Sequence, residues 1–458
     1  MAVLAVFDEQ NLSSKWNNDV QNQITYTNTL HYVVYNGDYV TTKANHNLKA
    51  VWASGLWGTQ TQFESDMLRL FGMNVKTELT GVRFDSMSGI DTYNLELSNA
   101  GEEQYTDTRL RLTNGIPIYR QGSTNNFAFV LSKTIIFDSS LSSMFYGYTA
   151  LQTVEFYNVS VGTNTLMSNM FYGCSNLAEV DFESFDTSKI NSYSQTFYNC
   201  YKLENVLNFD KLLKYTGTST LYVANMFRNC EALKEIEADF NNRTCNLTSM
   251  FFNCTSLTFA KLSNFTGSTN SLFYSCTSLD EVEFENCATT DALSMFYRCT
   301  SFTGSELTGL DMSNTTSVAN MFYNCVNLYQ VVDSQNGDKL DGLQSLGTVA
   351  GKLTSMYYMF YGCSKLTHVN FSANIDTSKV TDMSYLFYNC SSLYKLPIEN
   401  FVVPSGCNVS YMLSIGTTNK MESFTAPKTI ASGITIPFTL HTATSRMYYD
   451  TKDIGQTS

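Results

Sequence analysis

Proline, cations and long apolar runs are all scarce in this chain of 458 residues, which has 5 Pro and only 28 Lys and Arg against 41 Asp and Glu. The resulting net charge of −13 argues against nucleic acid as a partner, because that polymer demands clustered cations, and none is expected. No apolar run approaches the roughly 18 residues of a membrane helix, so no span is expected. The start, Met1 to Glu9, lacks the basic and apolar regions of a secretory signal. The first cysteine is Cys174, too late for an amino-terminal lipid anchor. The expectation is synthesis in the cytoplasm, with any display outside the cell depending on another vehicle.

Catalytic signatures are missing as well. There is no Gly-x-Ser-x-Gly, no phosphate-binding loop, no dinucleotide fingerprint and no Cys-x-x-Cys. His31, His46, His368 and His441 are scattered, which argues against zinc, and no cofactor is expected. The adjacent carboxylates Asp8-Glu9 and Glu102-Glu103 read as solvated surface, so the chain is read as no enzyme.

What is abundant is aromatic: 31 Phe and 29 Tyr. Ten times the chain repeats Met-Phe-Tyr-x-Cys-x-x-Leu or a near variant, with the phenylalanines at 145, 171, 197, 227, 251, 273, 296, 322, 360 and 387. Their spacings of 26, 26, 30, 24, 22, 23, 26, 38 and 27 residues mark a stacked solenoid. Nine of the twelve cysteines hold one repeat position: Cys174, Cys200, Cys230, Cys254, Cys276, Cys299, Cys325, Cys363 and Cys390. Buried free cysteine behaves as a small hydrophobe, so a reduced packing ladder is expected, although neighbouring rungs come close to disulfide distance.

Within one repeat, Val223, Met226, Phe227 and Cys230 fall at i, i+3, i+4 and i+7, as do Val318, Met321, Phe322 and Cys325. That stripe predicts a short helix. After the cysteine the period changes to two, as in Leu177-x-x-Val180-x-Phe182 and Leu279-x-x-Val282-x-Phe284, which predicts a strand. Asp186-Thr187-Ser188-Lys189 and Asp376-Thr377-Ser378-Lys379 supply turn and capping residues between them. A single unit buries too little to stand alone, so burial must be shared between neighbours.

The stretches at 185–190 and 375–393, with their Asp-Thr-Ser-Lys and Phe-Tyr-Asn-Cys elements, resemble the BspA-like leucine-rich repeat of bacterial surface proteins and mycoplasma lipoproteins. The resemblance spans residues 141 to about 400 and implies a leucine-rich-repeat solenoid engaged in adhesion or partner binding.

The fold expected is therefore an α/β repeat solenoid with a short helix and a strand per repeat, plus a non-repeat α+β or mostly β domain at the amino terminus. The expected boundaries are an attachment or capping domain at 1–140, about ten repeats at 141–400 and a carboxy-terminal cap at 401–458. Inside the first domain, helices are expected at Asp8–Val20 and Gln60–Phe71, and strands at Thr25–Tyr35, Asp91–Leu97, Thr108–Leu112 and Phe127–Phe137. Ile434 to Leu440 reads as a strand in the cap, and Asp333 to Asp338 as a polar loop without the spacing of an EF-hand.

Two surfaces are candidates for binding. The outward strand positions Glu155, Glu179, Asp181, Glu235, Glu237, Glu281 and Glu283 would line up as an acidic stripe, changing to Gln330, His368, Asn370 and Lys395 later. A charged sheet face that guards against aggregation explains them too. The second is the tyrosine beside each core phenylalanine: Tyr146, Tyr172, Tyr198, Tyr274, Tyr297, Tyr323, Tyr361 and Tyr388, interrupted by Arg228 and Phe252. Such rows grasp proteins and sugars, and they also pack between rungs. The function expected is a non-enzymatic binding or structural protein with a protein or glycan ligand at an extracellular or virion surface. The first reading is a bacteriophage virion component (fibre, head-decoration or receptor-binding protein) whose residues 1–140 dock to other virion proteins and form a homo-oligomer. The alternative is a bacterial cell-surface adhesin for host or microbial macromolecules.

Overall fold

The computed structural model describes residues 60–86, 105–111, 117–131, 135–137, 141–157, 159–161, 166–304, 307, 309–328, 345–369, 371–416 and 423–436, with short strands at 33–35, 38–40, 50–51 and 448–449. The expected elements at Asp8–Val20 and Asp91–Leu97 and the loop Asp333–Asp338 lie outside these residues, as does most of Thr25–Tyr35. The chain divides into two compact units: Met1–Met167 with Cys174–Ile190 and Val206–Leu212, and Ser168–Gly173 with Asn191–Asn205 and Leu213–Ser458.

In the first unit the helix Gln60–Phe71 forms where its apolar pattern places it. Met67 is fully buried, and Phe71 packs on Phe127 at 4.9 Å. Gly72, at φ +66°, ends the helix by donating its N–H to the Leu68 carbonyl, a left-handed cap that suits glycine. One sheet then runs in the order Glu179–Asp181, Thr153–Tyr157, Gly81–Ser86, Asn126–Leu131, Pro117–Gln121, Tyr105–Arg111. Its first four strands are parallel and the last two add as an antiparallel meander. A second parallel sheet joins Phe185–Asp186, Val159–Val161, Ile135–Phe137 and Ala50–Val51. Phe84, Phe156 and Phe182 stack at 5.4 and 5.5 Å. Leu79, Val82 and Phe84 thus supply the same Leu-x-x-Val-x-Phe rung as the repeats, in a segment whose sequence shows no cysteine phrase to announce it.

The second unit is a β-solenoid. Its coils are built from front strands, back strands and turn segments. Front strands stack in parallel register, with Glu235 opposite Phe259 and Phe259 opposite Glu281. Back strands do the same at Leu221–Tyr222, Arg243–Asn246, Phe265–Ser268, Cys287–Asp291 and Leu310–Asp311. The core phenylalanines form one column from Phe171 to Phe387 at 5.2–5.6 Å between ring centroids. The leucine-rich-repeat solenoid read from the sequence is therefore the fold.

One detail differs. The apolar stripe is buried as expected, but its backbone is a run of tight turns and not an α-helix. Residues two before and two after each phenylalanine are left-handed, for example Asn225 (φ +55°) and Asn229 (φ +61°) around Phe227. A right-handed helix cannot pass through such residues. The turns divide their donors by parity. Asn225, Phe227 and Asn229 give their N–H groups to Thr248, Met250 and Phe252 of the next coil, while Met226, Arg228 and Cys230 donate three residues back. Every backbone N–H from 225 to 230 thereby has an acceptor.

All twelve cysteines are buried thiols in no disulfide, as the reduced reading expects. The ladder thiols also donate. Cys230 Sγ lies 3.1 Å from the Phe197 carbonyl, Cys325 Sγ 2.9 Å from that of Phe296, and Cys390 Sγ 3.0 Å from that of Phe360. In the Asp-Thr-Ser-Lys turn, Asp376 Oδ1 accepts from the Ser378 N–H, and the buried Thr377 hydroxyl donates to the Val402 carbonyl at 2.6 Å. Past the last cysteine phrase, Ser423–Thr425 and Thr429–Ile430 pair with Lys395–Pro397 and Val402–Val403, so the coil pattern continues. No strand forms at 434–436, and residues 437–440 of that expected strand lie outside the described set.

Candidate binding surface

The front-strand carboxylates do come into register, but the stripe is not uniformly acidic. In the first unit Asp181 lies opposite Glu155 and Glu155 opposite Arg83. Arg83 reaches Glu155 at 3.3 Å and the buried Asp85 at 2.9 Å, with its guanidinium 4.2 Å from the centre of the Tyr157 ring. Glu179 faces Thr153. In the second unit Glu237 and Glu283 flank Lys261, whose ammonium lies 3.1 Å from Glu283 and is held above its ordinary pKa by that hydrogen bond and charge. Glu235 and Glu281 flank Phe259. The cations come from two rungs, at 81–86 and 259–263, that depart from the sequence phrase and so escape a reading based on it. His368, expected outward, is 2% exposed beside the Tyr394 ring, while Gln330 and Asn370 lie outside the described residues.

The tyrosines assemble more completely. Tyr172 stacks on Tyr198 at 4.7 Å. Farther along, Tyr274, Tyr297, Tyr323, Tyr361 and Tyr388 stack in turn at 4.4, 4.6, 4.6 and 4.9 Å, with rings within 9° of parallel. Arg228 and Phe252 do not break the column. The guanidinium lies 3.8 Å from the Phe252 ring centre and 5.8 Å from that of Tyr198, and Phe252 stacks on Tyr274 at 4.4 Å. A cation takes the place of one ring. These side chains are half-buried, whereas Tyr146, in the first unit, is exposed.

A second row runs beside the column and was not foreseen. Tyr358, Tyr385 and Tyr411 stack at 4.5 and 4.8 Å, and Tyr357 leans on Tyr358 at 4.2 Å and 70°. Its signal is small: tyrosine two residues before the core position, where other coils carry Ser, Asn or Gln. The Tyr358 hydroxyl is pushed up to about 12, first by burial and then by the neighbouring phenols Tyr385, Tyr357, Tyr361 and Tyr323.

Among the described residues no group of three His, Cys, Asp or Glu side chains could hold a metal ion, and no helix is long and apolar enough to cross a membrane.

No curated protein matches the chain. Solved structures similar to it include a leucine-rich-repeat protein of T. pallidum (15% identity, 37% of this chain and 77% of that one, TM-score 0.21). Another is a leucine-rich cell surface protein of Faecalibacterium prausnitzii (16%, 67% and 95%, TM-score 0.22). A third is an internalin of Listeria monocytogenes (14%, 57% and 86%, TM-score 0.21). At such TM-scores they carry no argument here. The pattern described as BspA type leucine rich repeat region (6 copies) matches residues 220–342. The pattern described as Mycoplasma protein of unknown function, DUF285, matches residues 139–265 and 290–426, more than half of the chain. With the phenylalanine column and the cysteine ladder falling inside those limits, the chain belongs to the DUF285 family and carries a BspA-type leucine-rich-repeat region within it.

Proposed function

We propose that the chain is a non-enzymatic binding protein, displayed outside the cell, that holds a macromolecular ligand along the phenol-bearing face of its coils. The observation that supports this reading is the aromatic column with its second row. It fixes many amphipathic rings at regular intervals on a rigid scaffold, an arrangement with little side-chain entropy left to lose on binding. The carrier of the display takes one of two forms, a phage particle or a cell envelope. The virion form further expects residues 1–140 to dock to the particle and to self-associate.

The test is fractionation of the source culture into phage particles, envelopes and cytosol, with this chain's peptides quantified in each by mass spectrometry. Stoichiometric presence in particles identifies a fibre, decoration or receptor-binding component. Presence in envelopes alone identifies an adhesin, and confinement to the cytosol overturns the display reading.

A further inference from the structure

We propose that the coils of Phe360, Phe387 and Leu413 form a binding site for a neutral glycan chain, built by Tyr357, Tyr358, Tyr361, Tyr385, Tyr388 and Tyr411. This rests on the binding-protein reading above and names its ligand class.

The first ground is backbone conformation. Tyr358, Tyr385 and Tyr411 sit at φ +57°, +55° and +56°. Left-handed backbone is uncommon for any side chain but glycine, and a bulky ring there is an outlier that points to function. The corresponding position carries Ser143, Asn169, Gln195, Asn225, Ser249, Ser271, Ser294 and Asn320 in other coils, all smaller than tyrosine and three of them asparagine, which tolerates this region. Packing does not require tyrosine at this place, since those coils close without it. Three consecutive coils nevertheless carry it.

The second ground is how the rings are held. Tyr358 contacts Tyr361 at 5.1 Å and Tyr385 contacts Tyr388 at 5.4 Å, so each ring of the second row is braced by the column beside it. The result is a platform two rings wide, preorganised before any ligand arrives. Tyr411 remains 52% exposed and Tyr357 36% exposed. Among the described residues, the hydroxyls of Tyr357, Tyr358, Tyr385, Tyr388 and Tyr411 make no hydrogen bond to the chain.

The ligand class follows from chemistry. Among the described residues no guanidinium or ammonium lies over any of these six rings, so they offer no cation to an anionic polymer, and the net charge of −13 repels one. What the platform offers is ring surface and free O–H groups that both donate and accept. A pyranose presents the complementary set, with C–H groups on its faces and hydroxyls on its rim. A polymer of such units meets the same groups again at every coil, which multiplies weak contacts.

The test uses the full chain in native affinity electrophoresis through gels containing soluble dextran, β-1,3-glucan, xylan, galactomannan or amylose, with polygalacturonate as the anionic control. Retardation by at least one neutral polysaccharide is expected, weakened about tenfold or more in the double variant Y357A/Y411A and unchanged in Y201A, an exposed tyrosine elsewhere. Circular dichroism melting of each variant confirms that the fold is kept, and truncating exposed rings leaves it intact. No retardation by any neutral polysaccharide overturns the proposal, as does retardation that survives the double variant or that only polygalacturonate produces. Capture of a defined protein ligand that Y357A/Y411A abolishes would replace the glycan and spare the binding reading. The binding reading itself falls on the fractionation result, independently of these gels.

Discussion

A ladder cysteine in this protein is a donor as well as a filler. The Cys325 thiol bonds the Phe296 carbonyl from inside the core, and its neighbours repeat the contact coil by coil. Serine keeps that donor at smaller volume, whereas valine removes it and adds bulk. Cys325→Ser is therefore expected to cost about 1 kcal/mol and Cys325→Val about 2–3 kcal/mol in urea unfolding. The reverse order would reduce the thiol to a plain hydrophobe. Thr377 argues likewise: its buried hydroxyl donates to the Val402 carbonyl and accepts from the Val402 N–H at 2.8 Å. Thr377→Val leaves that N–H unpaired and is expected to cost about 1–3 kcal/mol, read from the shift in urea midpoint. The cysteine ladder was legible from position alone. Its hydrogen bonds were not, because each acceptor sits a full repeat away and spacing says nothing about which carbonyl faces the sulfur.

The turn segment shows where pattern reading stops. An i, i+3, i+4, i+7 stripe marks which side chains face inward, and Val318, Met321, Phe322 and Cys325 are all buried. It does not distinguish a helix from a chain of turns with a similar inward phase. The distinguishing signal was present in Asn320 and Asn324, which bracket Phe322 as left-handed residues, and in Gly362, which follows Phe360 at φ +73°. A Cβ on Gly362 would collide with the Asn324 side chain. Gly362→Ala is expected to lose about 1–3 kcal/mol in the same assay, more than a surface substitution would. Arg228 is a matching case within the aromatic column. Arg228→Ala removes a cation from between two rings and is expected to cost about 1 kcal/mol, while Arg228→Tyr restores the stack and the stability. A destabilising Tyr substitution would show that the charge matters more than the plane. The carboxylate row is interleaved with cations for a related reason: Arg83 and Lys261 stand in rungs whose phrase has drifted, so the sequence alone left their counter-charges out of the row.

For the molecule as a whole, burial raises the pKa of many thiols at once. Cys245 is pushed up to about 12 and Cys287 and Cys407 to about 11, with Cys230, Cys325 and Cys390 higher still, all by loss of solvent around the charged form. A raised folded pKa favours the protonated native state. Its contribution is complete below the unfolded thiol value of about 8.5 and declines as pH climbs past it. Urea midpoints are thus expected to hold from pH 7 to 8 and to fall steeply by pH 10, by up to about 1.4 kcal/mol per pH unit for each such thiol. A flat profile over that range would contradict the buried ladder. The parity of backbone donors has a mechanical counterpart. A coil pulled along the stack is held to its neighbour by a row of parallel bonds loaded together, yet it has few ties to any coil beyond. Tension should therefore strip coils singly from an end, each 26-residue turn paying out roughly 90 Å of slack at 3.3–3.6 Å per residue. A tether made this way lengthens in steps under load before it lets go.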